Sequence, residues 1–276
     1  MEFRPTKASG IIYGLIMGIV IFGFCFWGID FSLGPNDRTL KIMLYIPAYL
    51  FLFIYLVLVT GLFNMTYRVE EDGLLIKWGI ARIKIAWDEI SNINQITGKS
   101  NMSSLFGSSW YGYMIGLYTV NGIGAVRMFA TFPEKGFIYL KTSRGFYGLT
   151  PADPKLIDII SERSGIYIDT VHMDELDPEI KGTSMQDDSF YRILLSLNIF
   201  FLCLFAAYLA IFFPGSGAPP FVVLLLVLAV ALFFFSIGNA GRLYQFSQNG
   251  GYMLLLLGLA VTGIFLILSL SEISLR

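Results

Sequence analysis

The stretch Tyr67–Ile93 reads YRVEEDGLLIKWGIARIKIAWDEISNI and alternates apolar with polar residues. A period of two is typical of half-buried β-strands. The Asp72–Gly73 dipeptide predicts a tight turn between the first two strands. In the third strand Ile83, Ile85 and Trp87 share one face, and the residues between them share the other. The stretch therefore predicts antiparallel strands that bury one side.

A second block, GFIYLKTSRGFYGLTP, predicts a hairpin that turns near Ser143–Gly145. A helix should follow, capped by Thr150 or Asp153 and ended by Gly165. Its predicted first turn contains Pro151 or Pro154, and its apolar stripe consists of Leu156, Ile157 and Ile160. Short antiparallel strands followed by one helix predict a small barrel or bent sandwich that the helix plugs.

The rest of the chain has the composition of membrane spans. Hydrophobic residues make up 55% of the 276 residues and charged residues only 14%. A helix of ~20 mostly apolar residues crosses the hydrocarbon core of a bilayer. Five segments meet this requirement: Ile11–Ile29, Ile42–Phe63, Ile193–Phe213, Phe221–Ala240 and Tyr252–Leu270.

Basic residues near the span ends predict the orientation, because Lys and Arg are enriched in cytoplasmic segments. Arg4, Lys7, Arg68, Arg192 and Arg242 all share one side if the N-terminus is cytoplasmic. This arrangement predicts a cytoplasmic N-terminus and middle segment, with the C-terminus outside.

The two β-rich blocks resemble bacterial pleckstrin-homology (PH)-like domains. The first block ends in a W-x-E-I corner, formed here by Trp87, Glu89 and Ile90, and the second contains the TP-x-DP helix start. The resemblance implies a seven-stranded PH-like β-barrel closed by a C-terminal helix, in a membrane-anchored bacterial protein of the inner membrane. It implies a binding platform and leaves the ligand open.

The sequence predicts a division of the chain into four segments. Residues 1–64 are predicted to form a two-helix transmembrane hairpin, residues 65–166 a cytoplasmic PH-like domain, and residues 191–276 a three-helix transmembrane bundle. Residues 167–190 between them are acidic and lack apolar periodicity. They are interpreted as a solvated linker, or alternatively as a docking strip for a basic partner.

The basic residues Lys77, Arg82 and Lys84 are the candidate contacts for a phosphorylated lipid headgroup, since Lys and Arg bind phosphate by charge and hydrogen bonds. The alternative is that they are solvated residues on the outer face of a strand.

The segment Ser103–Tyr118 concentrates aromatic residues among Gly and Ser. Trp and Tyr favour membrane interfaces, and loops of this composition also suit adaptable binding. The candidate recognition loop consists of Trp110, Tyr111, Tyr113 and Met114. The alternative is that these residues complete the core of the domain.

Gly10, Gly14 and Gly18 recur every four residues in the first span. Such a stripe permits close approach between helices. It predicts helix packing, either within one chain or between two copies.

Several function classes lack support in the sequence. The net charge of −1 argues against a nucleic-acid partner. The one histidine, His172, lies in the acidic segment, and Cys25 and Cys203 lie in apolar runs, so no catalytic triad, metal site or cofactor is predicted. We therefore expect a non-enzymatic adaptor or regulator of a membrane protein or anionic lipid. The alternative is an accessory or permeation subunit of a transport or envelope-stress system.

Overall fold

The computed structural model describes residues 1–6, 10–131, 136–182, 184–185, 187–213 and 217–274. Lys7 lies outside the described residues. The chain divides into two compact units. The first unit contains Met1–Ile19 and Leu52–Thr183, and the second contains Val20–Phe51 and Ser184–Arg276.

Five long helices occupy the positions that the apolar segments predict. The helices of the described residues are α1 (Gly10–Ser32), α2 (Arg38–Phe63), α3 (Lys155–Ser164), α4 (Pro178–Lys181), α5 (Ser189–Phe212), α6 (Pro220–Phe246) and α7 (Gln248–Ser274). By length and composition α1, α2, α5, α6 and α7 could each cross a membrane. The prediction of five long apolar helices is confirmed.

The strands form two sheets. The strands of the described residues are β1 (Glu2–Phe3), β2 (Thr66–Val69), β3 (Gly73–Trp78), β4 (Ala81–Ala86), β5 (Ile90–Thr97), β6 (Met102–Trp110), β7 (Tyr113–Val120), β8 (Gly124–Ala130), β9 (Phe137–Thr142), β10 (Gly145–Leu149) and β11 (Ile168–His172). The first sheet has the order β1-β2-β3-β4, and the second has the order β11-β5-β9-β10-β8-β7-β6. The pairs β11–β5 and β10–β8 are parallel.

The sheets stay open among the described residues, so the predicted closed barrel is corrected to two sheets. The short 3₁₀ turn Trp87–Glu89 separates β4 from β5 and carries the chain from the first sheet to the second. Strand β5 is paired on both sides, by β9 and β11, and offers no edge to β4. Because β5 already has two partners, β4 cannot pair with it, and the two sheets cannot close into a barrel at the Trp87–Glu89 turn.

Helix α3 covers the main core of the first unit, as the apolar stripe predicts. Leu156, Ile157 and Ile160 are buried and belong to one cluster with residues of both sheets. The helix ends at Gly165, whose φ of +70° is left-handed, and the Gly165 N–H donates to the carbonyl of Ser161. The predicted stripe and the predicted end are both confirmed.

Part of the predicted linker is structured. Strand β11 pairs in parallel with β5 over five residues, and Met173 after it is fully buried. His172 places its Nδ1 atom 2.7 Å from the hydroxyl of Thr97. The negative charge of this segment predicts a solvated linker, but ladder hydrogen bonds and the burial of Met173 stabilise a strand here.

The second unit contains a bundle of α5, α6 and α7 that is joined by buried polar groups. The side-chain amide of Asn198 donates to the carbonyls of Leu194 and Leu255, at 2.9 and 3.0 Å. The hydroxyl of Tyr208 donates to the carbonyl of Ser269 at 2.7 Å. These polar side chains link neighbouring helices, as expected for apolar bundles.

Candidate functional site

The predicted recognition loop is a β-hairpin. Strands β6 and β7 pair up to Trp110 opposite Tyr113, and Tyr111 and Gly112 form the turn. Gly112 has a φ of +77°, which suits glycine in a tight turn. The abundance of Gly and Ser favours a loop, but cross-strand pairing places Trp110, Tyr113 and Met114 in strands and only Tyr111 in the turn.

Trp110 holds this hairpin against helix α1. Its indole nitrogen donates to the carbonyl of Gly10 at 2.8 Å. Its ring centroid lies 5.8 Å from that of Tyr55 and 4.4 Å from that of Tyr113. The Tyr55 hydroxyl in turn donates to the carbonyl of Gly14 at 2.5 Å. Trp110 therefore contacts the beginning of α1 and an aromatic side chain of α2.

Tyr113 connects the same hairpin to α2 and to the first sheet. Its hydroxyl accepts a hydrogen bond from the indole of Trp78 at 2.8 Å and donates to the carbonyl of Leu58 at 3.2 Å. Burial raises the pKa of the Tyr113 hydroxyl, so it stays a neutral donor. We name Tyr55, Trp78, Trp110 and Tyr113 the aromatic anchor.

Glycines provide the space for the aromatic anchor. A Cβ atom on Gly10 would collide with the carbonyl of Gly112, and one on Gly14 would lie 3.2 Å from the Trp110 ring. A Cβ atom on Gly18 would press on the ring of Tyr55, and one on Gly61 on the indole of Trp78. The structure thus places the predicted glycine stripe against aromatic residues and a turn of the same chain.

The other two members of the predicted recognition loop differ in exposure. Tyr111 is 54% exposed and packs edge-on against Tyr13. Met114 is half-buried and packs against a core cluster that includes Tyr118, Met128 and Tyr139. Tyr111 is therefore the member of this set with the largest accessible surface.

The three predicted headgroup contacts lie on one hairpin, β3–β4. Lys77 is paired with Arg82, and Lys84 lies two residues further along β4. The Lys84 ammonium is 2.5 Å from Asp72 and 3.7 Å from Glu70. The hydrogen bond with Asp72 raises the pKa of Lys84 and lowers the pKa of Asp72. Lys84 thus forms ion pairs with two carboxylates. Arg82, in contrast, is exposed and forms no ion pair within the described ranges.

The tip of this hairpin was not predicted from the sequence. Ile80 is fully exposed, and Gly79 before it has a φ of +58°. The side chain of Asn64 binds both backbone groups of Gly79: its amide donates to the carbonyl at 3.2 Å, and its oxygen accepts from the N–H at 2.7 Å. The sequence signal that could have indicated this tip is an isoleucine directly after a glycine.

Across the described part of the chain, no cluster of three or more His, Cys, Asp or Glu side chains could hold a metal ion. His172 lies on β11, next to Thr97.

A separate polar cluster surrounds Asp188 in the second unit. One carboxylate oxygen of Asp188 accepts from the N–H groups of Phe190 and Tyr191, so it caps helix α5. The other oxygen accepts from the hydroxyls of Tyr244, at 2.6 Å, and Tyr252. Partial burial alone would raise the pKa of Asp188, but these four hydrogen bonds lower it.

This cluster predicts an acid-dependent loss of stability. Because the pKa of folded Asp188 lies below its ordinary value of 3.8, its stabilisation is present above that value and is lost as pH falls through the folded pKa. We expect the thermal midpoint of the wild type to exceed that of Asp188→Asn at pH 7. The gap should shrink below about pH 3.8. Thermal scans in detergent at pH 7 and below pH 3.8 measure it. Glu162→Gln, at an exposed position of α3, is the control, and a constant gap would contradict the assignment.

Comparisons with known proteins agree with this architecture. Residues 65–163 match the family model described as "Bacterial PH domain". An uncharacterized protein of Clostridium acetobutylicum is 31% identical over 90 residues, which cover 32% of this chain and 30% of that protein. The chain thus spans less than a third of the length of this curated relative. No solved structure matches the chain. The family match confirms, for residues 65–163, the bacterial PH-like domain that the two sequence blocks indicate.

Proposed function

We propose that this chain is a membrane-anchored, non-catalytic binding module, in which helices cross the membrane and the PH-like domain recognises a membrane protein or lipid beside them. The family match supports a binding role, because such domains serve as binding platforms. The observation that carries the proposal is the aromatic anchor, which ties the domain to α1 and α2 inside the first unit.

The outer surfaces of the long helices support membrane insertion. Ile19, Phe24 and Phe53 are 73%, 69% and 66% exposed, and many other large apolar side chains of these helices are also exposed. Such continuous apolar surface is unfavourable in water, and lipid tails would cover it.

The proposed mechanism is positional. An anchored domain meets partners in the plane of the same membrane, which raises its effective concentration for them without any new contact. Because Trp110 and Tyr113 bind backbone carbonyls of α1 and α2, the domain keeps a defined orientation to these helices. A partner would then meet the same face of the domain each time.

The polar residues of the second unit also favour binding over permeation. Asn198 and Tyr208 direct their hydrogen bonds to carbonyls of neighbouring helices. Transport pathways usually place ionisable residues inside the spans, whereas these residues are neutral. We therefore place the permeation role second.

Cysteine accessibility tests the anchoring and the orientation. In a Cys25→Ala, Cys203→Ala background, Glu162→Cys on α3 and Gly217→Cys before α6 are labelled in intact cells with a membrane-impermeant maleimide. We expect Gly217→Cys to react from outside and Glu162→Cys to react only after lysis. Equal labelling of both positions in intact cells would contradict a membrane-separated topology.

Partner capture tests the binding role. Tagged full-length chain is crosslinked in cells and purified beside a Phe106→Ala, Tyr111→Ala variant and the control Tyr167→Ala. All three side chains are exposed, at 78%, 54% and 93%, so folding should persist in each variant. We expect a partner that the control retains and the double variant loses. Identical capture by all three proteins would exclude the β6–β7 hairpin as the recognition surface.

A further inference from the structure

The β3–β4 hairpin presents an apolar tip directly beside the end of a candidate span. We propose that this tip, Gly79–Ile80, inserts into the headgroup region of a bilayer that contains anionic lipid, with Lys77 and Arg82 on lipid phosphates. The inference rests on the proposed membrane anchoring and adds a second, reversible lipid contact made by the domain itself.

The depth of the tip follows from its contacts with α2. Helix α2 ends at Phe63, and the Asn64 side chain binds both backbone groups of Gly79. One turn earlier, Gly61 lies against the Trp78 indole. The tip is therefore held at the level of the last turn of α2, where a span meets the membrane–water boundary.

The exposure of the tip favours a lipid environment. The Ile80 side chain is 100% exposed, and Phe63 at the end of α2 is 58% exposed. Trp78 next to the tip belongs to the residue types that are enriched at membrane interfaces. Insertion of Ile80 among headgroups and upper acyl chains would remove its apolar surface from water. The tip thus presents an exposed isoleucine close in sequence to a tryptophan, and α2 ends in an exposed phenylalanine.

The charges beside the tip specify anionic lipid. Lys77 and Arg82 form the second cross-strand pair behind the tip, after Trp78 and Ala81, so their side chains share a face. The Glu2 carboxylate is bound by Arg68 at 2.9 Å, and this hydrogen bond, more than the charge of Lys77, lowers the pKa of Glu2. Lys84 lies further from the tip and is bound by Asp72. The cationic patch is thus confined to Lys77 and Arg82.

Depth-dependent quenching tests the insertion. A fluorophore is attached at Ile80→Cys in the full chain lacking Cys25 and Cys203, and the protein is reconstituted in nanodiscs with shallow or deep spin-labelled lipid. Glu71→Cys is the matched control, because it is exposed at the opposite end of β3. Ile54→Cys, in the middle of α2, reports whether the helices are inserted at all.

The outcomes separate the two proposals. We expect shallow lipid to quench Ile80, deep lipid to quench Ile54, and neither to quench Glu71. Quenching of Ile54 without quenching of Ile80 overturns the hairpin contact and leaves the anchoring intact. If none of the three positions is quenched, both the anchoring and the hairpin contact are overturned.

The proposed contact of Lys77 and Arg82 with lipid phosphates is tested by varying the lipid composition. Anionic lipid should increase the quenching at Ile80 over neutral lipid, and a Lys77→Gln, Arg82→Gln background should abolish this increase. Each basic residue near an anionic surface favours the bound state about fivefold, so the two together should produce a clear loss. A Lys84→Gln background should behave as wild type. Equal quenching in neutral and anionic discs would remove the headgroup assignment.

Discussion

Replacement of Trp110 by alanine is expected to weaken the attachment of the PH-like domain to α1 and α2. The change removes the hydrogen bond to the Gly10 carbonyl and the ring contacts with Tyr55 and Tyr113. Truncation of a fully buried tryptophan to alanine costs about 3–5 kcal/mol, and truncation of the half-buried Trp110 should cost less than this. We therefore expect a lower thermal midpoint in detergent and faster proteolysis between residues 64 and 183.

A matched tryptophan supplies the control for this prediction. Trp27 lies in α1 and is 56% exposed, so Trp27→Ala should change the midpoint little. Trp110→Phe keeps a ring but loses the N–H donor, and its midpoint should fall between those of the wild type and Trp110→Ala. Equal stability of Trp110→Ala and Trp27→Ala would show that the aromatic anchor does not hold the domain.

Substitutions of two glycines by alanine should have opposite effects. A Cβ atom at Gly61 would lie 2.9 Å from Cζ2 of Trp78 and closer still to other atoms of the indole, so the ring must move. Overpacking of this kind costs about 1–3 kcal/mol. At Gly23 nothing lies within 4 Å of the added atom. There alanine should stabilise the helix by up to about 1 kcal/mol through its higher helix propensity.

Thermal unfolding of both variants in the same detergent measures the sign of each effect. A third protein, with Gly61→Ala and Trp78→Leu together, tests the mechanism, because a smaller flexible side chain can yield to the new methyl group. We expect the loss caused by Gly61→Ala to be smaller in the Trp78→Leu background than in the wild type. Additive losses would mean that Gly61 acts through something other than the indole.

Local patterns were sufficient to predict only some elements of this fold, namely β3, β4, α3 and the five long helices. The period of two in β3 and β4, the five apolar segments and the stripe of α3 each depend on neighbours within a few residues. Burial of one face is enough to define such elements. The family resemblance came from the same local blocks, and it holds for residues 65–163.

Pairings between distant segments were not predictable in this way. Strand β11 belongs to the segment that the sequence predicts as a linker, because the acidic residues around it give no sign of the β5 edge that it completes. The roles of Trp110 and Tyr113 also depend on carbonyls of α1 and α2, far away in sequence. The position of Ile80 beside the end of α2 was also not predictable, because it depends on the hydrogen bond between Asn64 and Gly79, which are 15 residues apart.

The pairing of β5 with β11 also imposes an order on biosynthesis. Thr97 and His172, which meet at the end of this ladder, lie 75 residues apart. At ~5–20 residues per second, the ribosome needs about 4–15 s to deliver the second after the first. During that interval one edge of β5 has no ladder partner, while α2 has already been synthesised. The nascent chain therefore carries an open strand edge until His172 emerges, and this edge is a surface that a chaperone would have reason to cover.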